Sequence, residues 1–219
     1  MRKLILLISL LFTATALMAQ TNQPKKLEFK GKLASGWYYR LDHTYAGKKD
    51  FNFNKTGYGF HFKADAMGAG IYYNPGEVKT GNYQITAKFD QVTKTHHAEA
   101  YGLFIGGQNL QQSNQKYIYF LVRQDGDYLI KRRDGAGTSL LSGWTSSPSV
   151  NKMDKNGETV NTLSIKVEGE KVDFMSNGKL LKSINRADLM STEGIVGFRL
   201  NHHLDLKISD YEVKALSNK

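Results

Sequence analysis

Alternation of apolar and polar residues dominates this chain, and no segment beyond the first nineteen residues sustains a helical stripe. In GNYQITAKFDQ the apolar Tyr83, Ile85, Ala87 and Phe89 alternate with polar residues. A period of two over this length predicts a half-buried strand of an antiparallel sheet.

Two pairs of a small polar residue followed by glycine predict tight hairpins. The segment YIYFLVRQDGDYLIKRR is interpreted as two strands joined by a two-residue type I′ turn at Asp125-Gly126. The segment NTLSIKVEGEKVDFMSNGKLLKSI predicts a three-strand meander, with turns around Gly169 and at Asn177-Gly178. A single helical turn is predicted within residues 185–194.

Further strands are predicted wherever β-rich runs lie between glycine, asparagine and aspartate. They are Gly36–Leu41, Gly57–Lys63, Ala69–Tyr73, Glu99–Gly106, Gly194–Asn201 and Leu204–Val213. Many short strands, spaced about a dozen residues apart, are typical of an all-β sandwich or barrel. Because no repeat or linker interrupts them, one domain over residues 27–219 is expected.

The N-terminus has the pattern of a secretory signal peptide, with Arg2 and Lys3, then an apolar run and small residues up to Ala19. Residues 1–19 are therefore predicted to be removed, and residues 20–26 to form a polar lead-in. We expect an exported protein, periplasmic or extracellular. No later stretch is apolar for long enough to span a membrane. Without cysteine the chain has no disulfide and no site for a lipid anchor.

The net charge is +10, or +8 once Arg2 and Lys3 are removed. An excess of this size is compatible with acidic polymers, anionic membranes or nucleic acid. The lysines and arginines are nevertheless scattered among acids, which favours an ordinary solvated surface and no nucleic-acid partner. Lys131, Arg132 and Arg133 would be the centre of any basic patch.

The order of these motifs resembles the jelly rolls of the concanavalin A-like lectin/glucanase superfamily. The segments that carry the resemblance lie between about residues 57 and 214, and the most specific is N-x-L-x-I-x-V leading to V-x-F-x-x-N-G. The chain also resembles secreted bacterial domains of the 3-keto-glycoside hydrolase-like and laminin-G-like group. The resemblance implies a two-sheet antiparallel jelly-roll sandwich.

The fold alone does not decide between a lectin, a hydrolase and an adhesion module. β-Glucanases of this superfamily carry catalytic carboxylates in the style E-x-D-x-x-E, and that motif is absent from this sequence. Retaining glycosidases need two carboxyl groups about 5–5.5 Å apart. The sequence therefore leans away from an enzyme.

Histidine and acid pairs near two predicted strands are the candidates for catalysis or metal binding. On a regular strand, His97 and Glu99 would share a face with Tyr101, and His203 would share one with Asp205. Such groups suit proton transfer or zinc, provided that the two strands are neighbours. The alternative is that the histidines cap strand ends.

A structural calcium ion is a further weak possibility, since related sandwiches often hold one near the terminal strand. Asp205 and Asp210 are the candidate ligands. Hard cations take six to eight oxygen ligands, so surface acids are the competing interpretation, and no cofactor is predicted.

Tyrosine and arginine residues predict a carbohydrate-binding face, since tyrosine offers a flat ring with a hydroxyl and arginine a rigid fork of donors. The two-residue turn would place Tyr128 and Arg132 beside the tyrosines of the preceding strand. The competing interpretation is that these aromatic residues only pack the sheet. The candidate ligand-binding residues are Tyr117, Tyr119, Arg123, Tyr128, Arg132, Tyr101, Tyr72, Tyr73 and Trp144.

Three functional hypotheses follow. The first is a secreted lectin-like module that binds an oligo- or polysaccharide without catalysis. The second is a glycan-active hydrolase or lyase of the 3-keto-glycoside hydrolase-like kind, using His97, Glu99 and His203. The third is a protein-interaction domain of the envelope. The identity of the glycan and the oligomeric state are left open by the sequence.

Overall fold

The computed structural model describes residues 31–42, 51–64 and 69–217, and within them the regular secondary structure is almost entirely β-strand. The predicted signal peptide and lead-in lie outside the described residues. One turn of 3-10 helix, Arg186–Asp188, confirms the helical turn predicted for residues 185–194. The strands in chain order are β1 (Lys32–Leu33), β2 (Tyr38–Leu41), β3 (Phe51–Thr56), β4 (Gly59–Ala64), β5 (Gly70–Lys79), β6 (Tyr83–Gln91), β7 (Ala100–Gln108), β8 (Lys116–Arg123), β9 (Asp127–Asp134), β10 (Gly137–Ser146), β11 (Thr159–Glu168), β12 (Lys171–Ser176), β13 (Lys179–Asn185), β14 (Gly194–Leu200) and β15 (Leu204–Ala215).

The strands form two sheets. An eight-stranded sheet has the order β1-β3-β4-β15-β6-β11-β12-β13, and a seven-stranded sheet has the order β10-β9-β8-β7-β14-β5-β2. Among the described strands, β1 pairs with β3 in parallel and all other neighbouring strands pair antiparallel. The predicted all-β antiparallel sandwich is therefore confirmed.

The main hydrophobic core lies between the sheets. Along β6 the residues Tyr83, Ile85, Ala87 and Phe89 are buried and their neighbours are not, as the alternation predicts. The seven-stranded sheet contributes Phe198 and the other buried residues of its inner face to this core. Each fully buried aromatic or aliphatic side chain stabilises the fold by about 1.5–3 kcal/mol.

The meander formed by β11, β12 and β13 is confirmed with its second turn as predicted. Asn177 and Gly178 both have positive φ, 51° and 75°, which is the geometry of a type I′ turn. The pairing of Ser176 with Lys179 leaves only these two residues in the loop.

The hairpin of β8 and β9 differs from its prediction by one residue. Val122 pairs with Tyr128, and the amide of Gly126 donates to the carbonyl of Arg123. Gly126 has a φ of 90°, whereas Asp125 is not among the residues with positive φ. The chain therefore turns with three loop residues instead of two, and this shift exchanges the two faces of β9.

Three strands, β1, β3 and β10, were not predicted from the sequence. The sequence of β10, GTSLLSGWTS, shows no clean alternation because its register against β9 shifts twice, between Leu140 and Ser142 and between Ser142 and Thr145. Its residues are also largely exposed, so burial leaves little hydrophobic pattern in the sequence.

Candidate functional site

One face of the seven-stranded sheet points away from the core and carries most of the predicted ligand-binding chemistry; it is called the outer face below. Strand pairing places Tyr117, Tyr119 and Arg123 of β8 on this face, as predicted. The same pairing brings Lys131 and Arg133 of β9 beside them.

The predicted positions of Tyr128 and Arg132 on this face are wrong. Because of the three-residue loop, Tyr128 points into the core between the sheets. Arg132 alternates with Lys131 and Arg133 and lies on the opposite face, where its Nε donates to Ser139 Oγ at 2.7 Å. The one-residue shift in register is the physical reason for both differences.

Two more tyrosines predicted to contact ligand are core residues. Tyr72 and Tyr101 are almost completely buried between the sheets. The Tyr101 hydroxyl accepts a hydrogen bond from Asn161 Nδ2 at 3.2 Å, and burial raises the pKa of Tyr101 to about 12. Tyr73 does lie on the outer face, where its hydroxyl accepts a bond of 2.6 Å from Gln111.

A buried charge network occupies the middle of the outer face. Both terminal nitrogens of Arg199 reach Asp42, at 3.2 and 2.5 Å, and Arg133 Nη2 lies 3.0 Å from the same carboxylate. Arg199 also lies over the ring of Tyr119, and Arg133 Nε donates to the Tyr117 hydroxyl at 2.9 Å. We call these five residues the buried network.

Burial gives this network its electrostatic character. Burial alone lowers the pKa of Arg199, but Tyr117, Asp42 and Tyr119 raise it above its ordinary value, so the guanidinium stays charged. Its Nε is buried without a hydrogen-bond partner in the described part of the chain. Tyr117 is 1% exposed and Tyr119 is 4% exposed, so neither ring offers a free surface for stacking.

One exposed part of the outer face lies at the end where β8 and β10 finish. Trp144 is 42% exposed, and the Arg123 guanidinium lies 4.3 Å from the centre of its ring. Arg123 Nε donates to Asp125 at 2.8 Å, and its Nη2 donates to Asp127 at 2.6 Å. We call these four residues the Arg–Trp platform.

The local fold explains why these groups meet. Asp125 lies in the three-residue loop after β8, and Asp127 begins β9, so both carboxylates lie close to Arg123 at the end of β8. Because of the register shift between Ser142 and Thr145, two residues of β10, Gly143 and Trp144, lie opposite the single residue Leu129. Such a bulge changes the direction of the strand locally, and Trp144 lies over Arg123.

The histidine and acid candidates divide into two groups. The amide of Glu99 donates to the carbonyl of His97 at 2.8 Å, so the chain turns before β7 begins and the predicted shared face is lost. Glu99 is buried, and its carboxylate lies 3.0 Å from His202 and 3.3 Å from Asn201. His97 and His203 instead line a surface cavity of about 440 Å³, and Glu99 is not part of its lining.

The acids considered for calcium are also separated. Asp205 lies 2.7 Å from His61 and 3.1 Å from Lys63. Asp210 is exposed and accepts a hydrogen bond of 3.4 Å from Ser209. Across the described ranges, no group of three or more histidine, cysteine or acidic residues could hold a metal ion. In the same described ranges, no helix is long and apolar enough to cross a membrane.

Comparisons with known proteins bear on the fold. No protein-family model matches the chain, and no curated protein matches it. The carbohydrate-binding module CBM66 from Bacillus subtilis has a similar structure, with a TM-score of 0.59 and 12% identity, over 86% of this chain and 100% of that chain. A Bacillus subtilis protein of unknown function with a galectin-like fold gives a TM-score of 0.59 and 10% identity, over 84% and 90% of the two chains.

A third similar structure is the exoplasmic/lumenal domain of VIP36, in a form bound to Ca²⁺ and Man3GlcNAc. Its TM-score is 0.53 at 9% identity, over 84% of this chain and 85% of that one. The specific likeness to 3-keto-glycoside hydrolase-like domains receives no support from these comparisons. They show that the chain has the fold of a galectin-like jelly-roll sandwich.

Proposed function

We propose that this protein is an exported lectin-like module that binds carbohydrate at the Arg–Trp platform and carries out no reaction of its own. The observation that carries the proposal is the exposed Trp144 ring held against Arg123, which two carboxylates fix in turn. A protein site that binds carbohydrate needs this combination of a flat apolar surface and oriented polar groups.

A pyranose or furanose ring has an apolar patch of C–H groups and a rim of hydroxyls. The indole of Trp144 supplies a rigid apolar surface for the patch. The carboxylates of Asp125 and Asp127 retain acceptor capacity beyond their bonds to Arg123, because each carboxylate can accept several hydrogen bonds. Sugar hydroxyls are suitable donors to them.

The platform is preorganised, which favours binding. Arg123 is fixed by two charge-assisted bonds, and the stacked guanidinium limits the motion of the Trp144 side chain. Holding these groups in place before the ligand arrives reduces the entropy that is lost on binding. At the exposed end of a sheet such ion pairs contribute little to stability, so positioning is their main effect.

The ligand class draws support from two of the similar structures. One is named as a carbohydrate-binding module, and another was determined with Man3GlcNAc. The proposed absence of catalysis draws support from Glu99, the carboxylate first considered for an enzyme. It is buried and held by His202 and Asn201, away from the cavity that His97 and His203 line.

The first test is retention of the purified protein on a panel of plant, algal and microbial polysaccharides, with released sugars measured in the same tubes. We expect retention without release. Trp144→Ala should weaken retention at least about tenfold, because it removes the stacking surface.

Tyr58→Ala is the matched control, because Tyr58 is also an exposed aromatic residue, 46% exposed, but lies in the turn between β3 and β4 of the other sheet. Equal retention of the Trp144→Ala and Tyr58→Ala proteins would refute the platform. Released sugar would favour the enzyme hypothesis, and absence of both signals would favour a protein partner.

A further inference from the structure

Three connections meet at the end of the sandwich where the Arg–Trp platform lies. Residues 92–99 join β6 to β7, residues 124–126 join β8 to β9, and residues 201–203 join β14 to β15. The amide of Val92 donates to the carbonyl of Asp205, which ties the first connection to the start of β15.

The cavity of about 440 Å³ lies among the first and third of these connections and the end of β4. Its wall contains two lysines, three histidines, two threonines, Leu204 and Asp205. A cavity of this size lies within the range of about 300–1,000 Å³ found for small-molecule sites, and one sugar residue or two can be accommodated.

The cavity wall has an excess of positive charge. Lys63 and Lys94 face a single carboxylate, that of Asp205. Asp205 is already held by His61 and Lys63, at 2.7 and 3.1 Å, so its charge is compensated.

Three basic side chains of the cavity wall are available to a ligand. In the described ranges, the side chains of Lys94, His97 and His203 take part in no ion pair, and all three residues are exposed. His203 has a φ of 53°, an uncommon conformation for a residue other than glycine. The turn it makes directs its ring into the cavity wall.

The wall is also held in place by the loop that carries the platform. Gln124 Oε1 accepts a bond of 2.9 Å from the Thr95 hydroxyl, and Gln124 Nε2 donates to the Thr95 carbonyl at 3.3 Å. Arg123, the residue before it, lies under Trp144. Two adjacent residues, the last of β8 and the first of the loop that follows, therefore belong to the platform and to the support of the cavity.

We infer that this cavity binds a sugar residue that carries an anionic group, a carboxylate or a sulfate ester, within the same glycan that contacts the platform. The anion lies against Lys94 and the histidines, and a neighbouring sugar of the chain reaches Trp144. This inference rests on the proposed carbohydrate binding and names the class of glycan.

The test compares acidic and neutral polysaccharides at about 0.15 M salt, where long-range attraction to a basic protein is largely screened. The probes are polygalacturonate and alginate for carboxylates, dextran sulfate for sulfate esters, and unmodified dextran and pullulan as neutral chains. We expect binding to at least one acidic group of probes, and Lys94→Glu should weaken it at least about tenfold.

Lys179→Glu is the matched control, since it reverses one exposed lysine on β13, the edge strand of the eight-stranded sheet and four strands away from β15. A second variant, His97→Ala with His203→Ala, keeps the lysines and should also lose affinity. Equal weakening by Lys94→Glu and Lys179→Glu would overturn the inference, because general positive charge would then explain the binding. Preference for carboxylate or sulfate probes identifies the anionic group.

The two proposals fail in different ways. Neutral glycans bound in a manner that depends on Trp144 but not on Lys94 would overturn the inference and leave the proposed function standing. Acidic glycans bound in a manner that depends on Lys94 but not on Trp144 would support the cavity and refute the platform. Binding to no glycan would overturn both.

Discussion

The buried network and the Arg–Trp platform lie on the same face of the same sheet and use the same chemistry, but burial separates their roles. In both, an arginine lies over an aromatic ring and is held by a carboxylate. Arg199 is 4% exposed, and Tyr117 and Tyr119 are buried with it, whereas Trp144 is 42% exposed. A buried charge must be paired to be tolerated, while an exposed one remains available to a ligand.

The comparison shows that residue type alone does not identify a binding surface. The tyrosines that first indicated a carbohydrate site, Tyr117 and Tyr119, belong to the buried network. Trp144, at the edge of the face, is by contrast exposed and can stack on a sugar.

Alkaline pH should produce the largest difference between the two regions. Burial raises the pKa of Tyr117 and Tyr119 in the buried network, and it raises that of Tyr101 in the core to about 12. Unfolded tyrosine ionises near pH 10, so this stability is complete below about pH 10 and is lost as the pH rises through the folded pKa values. Between pH 10 and its folded pKa, each such tyrosine should lower the free energy of unfolding by about 1.4 kcal/mol per pH unit.

Urea unfolding from about pH 8 to about pH 11 measures this effect. Tyr119→Phe should reduce the pH dependence, while Tyr58→Phe, at an exposed turn, should leave it unchanged. Identical pH profiles for these two variants would show that the buried network does not behave as a desolvated site.

Removing one arginine from each region gives the next largest contrast. Arg199→Met leaves Asp42, whose side chain is 15% exposed, with Arg133 as its remaining partner, and we expect a loss of about 3 kcal/mol in unfolding free energy. Arg123→Met breaks ion pairs that are more exposed and should cost less than about 1 kcal/mol. Denaturant midpoints measure both, and similar losses would contradict the division into a structural and a binding region.

The smallest effect concerns the platform alone. Arg123→Met should free the Trp144 ring and weaken glycan binding about threefold to tenfold, because stacking of the guanidinium no longer orders the ring. Acrylamide quenching of tryptophan fluorescence measures the change in accessibility of the Trp144 ring. Trp37, the other tryptophan, packs on Phe53, Phe60 and Phe198 and serves as an internal reference. Unchanged quenching would show that Arg123 does not order Trp144.

Strands and sheet pattern were largely predictable from the sequence, whereas the faces of one hairpin were not. Asn177-Gly178 gave the right turn, because both residues adopt positive φ. Asp125-Gly126 fits two loop lengths equally well, and only the pairing of Val122 with Tyr128 decides between them. That one-residue difference moved Arg133 onto the outer face and Arg132 away from it.

The site was predictable only in part because its geometry depends on long-range contacts. Trp144 and Arg123 were both among the candidate ligand-binding residues, but their contact was not predicted, and the pairing of Asp42 with Arg199 joins positions 157 residues apart. A sequence signal for it does exist, since Arg199 is the lone charge within the apolar strand GIVGFRL. A charged residue in such a strand needs a partner, but its identity emerges only from the fold.

The irregular pairing of β10 has a consequence for association between molecules. β10 is the outermost strand of its sheet, and its backbone groups on that side could otherwise template another strand. The two register shifts between Leu140 and Thr145 interrupt the regular spacing of those groups. The distortion that orients Trp144 therefore also makes this edge a poor starting point for aggregation by strand addition.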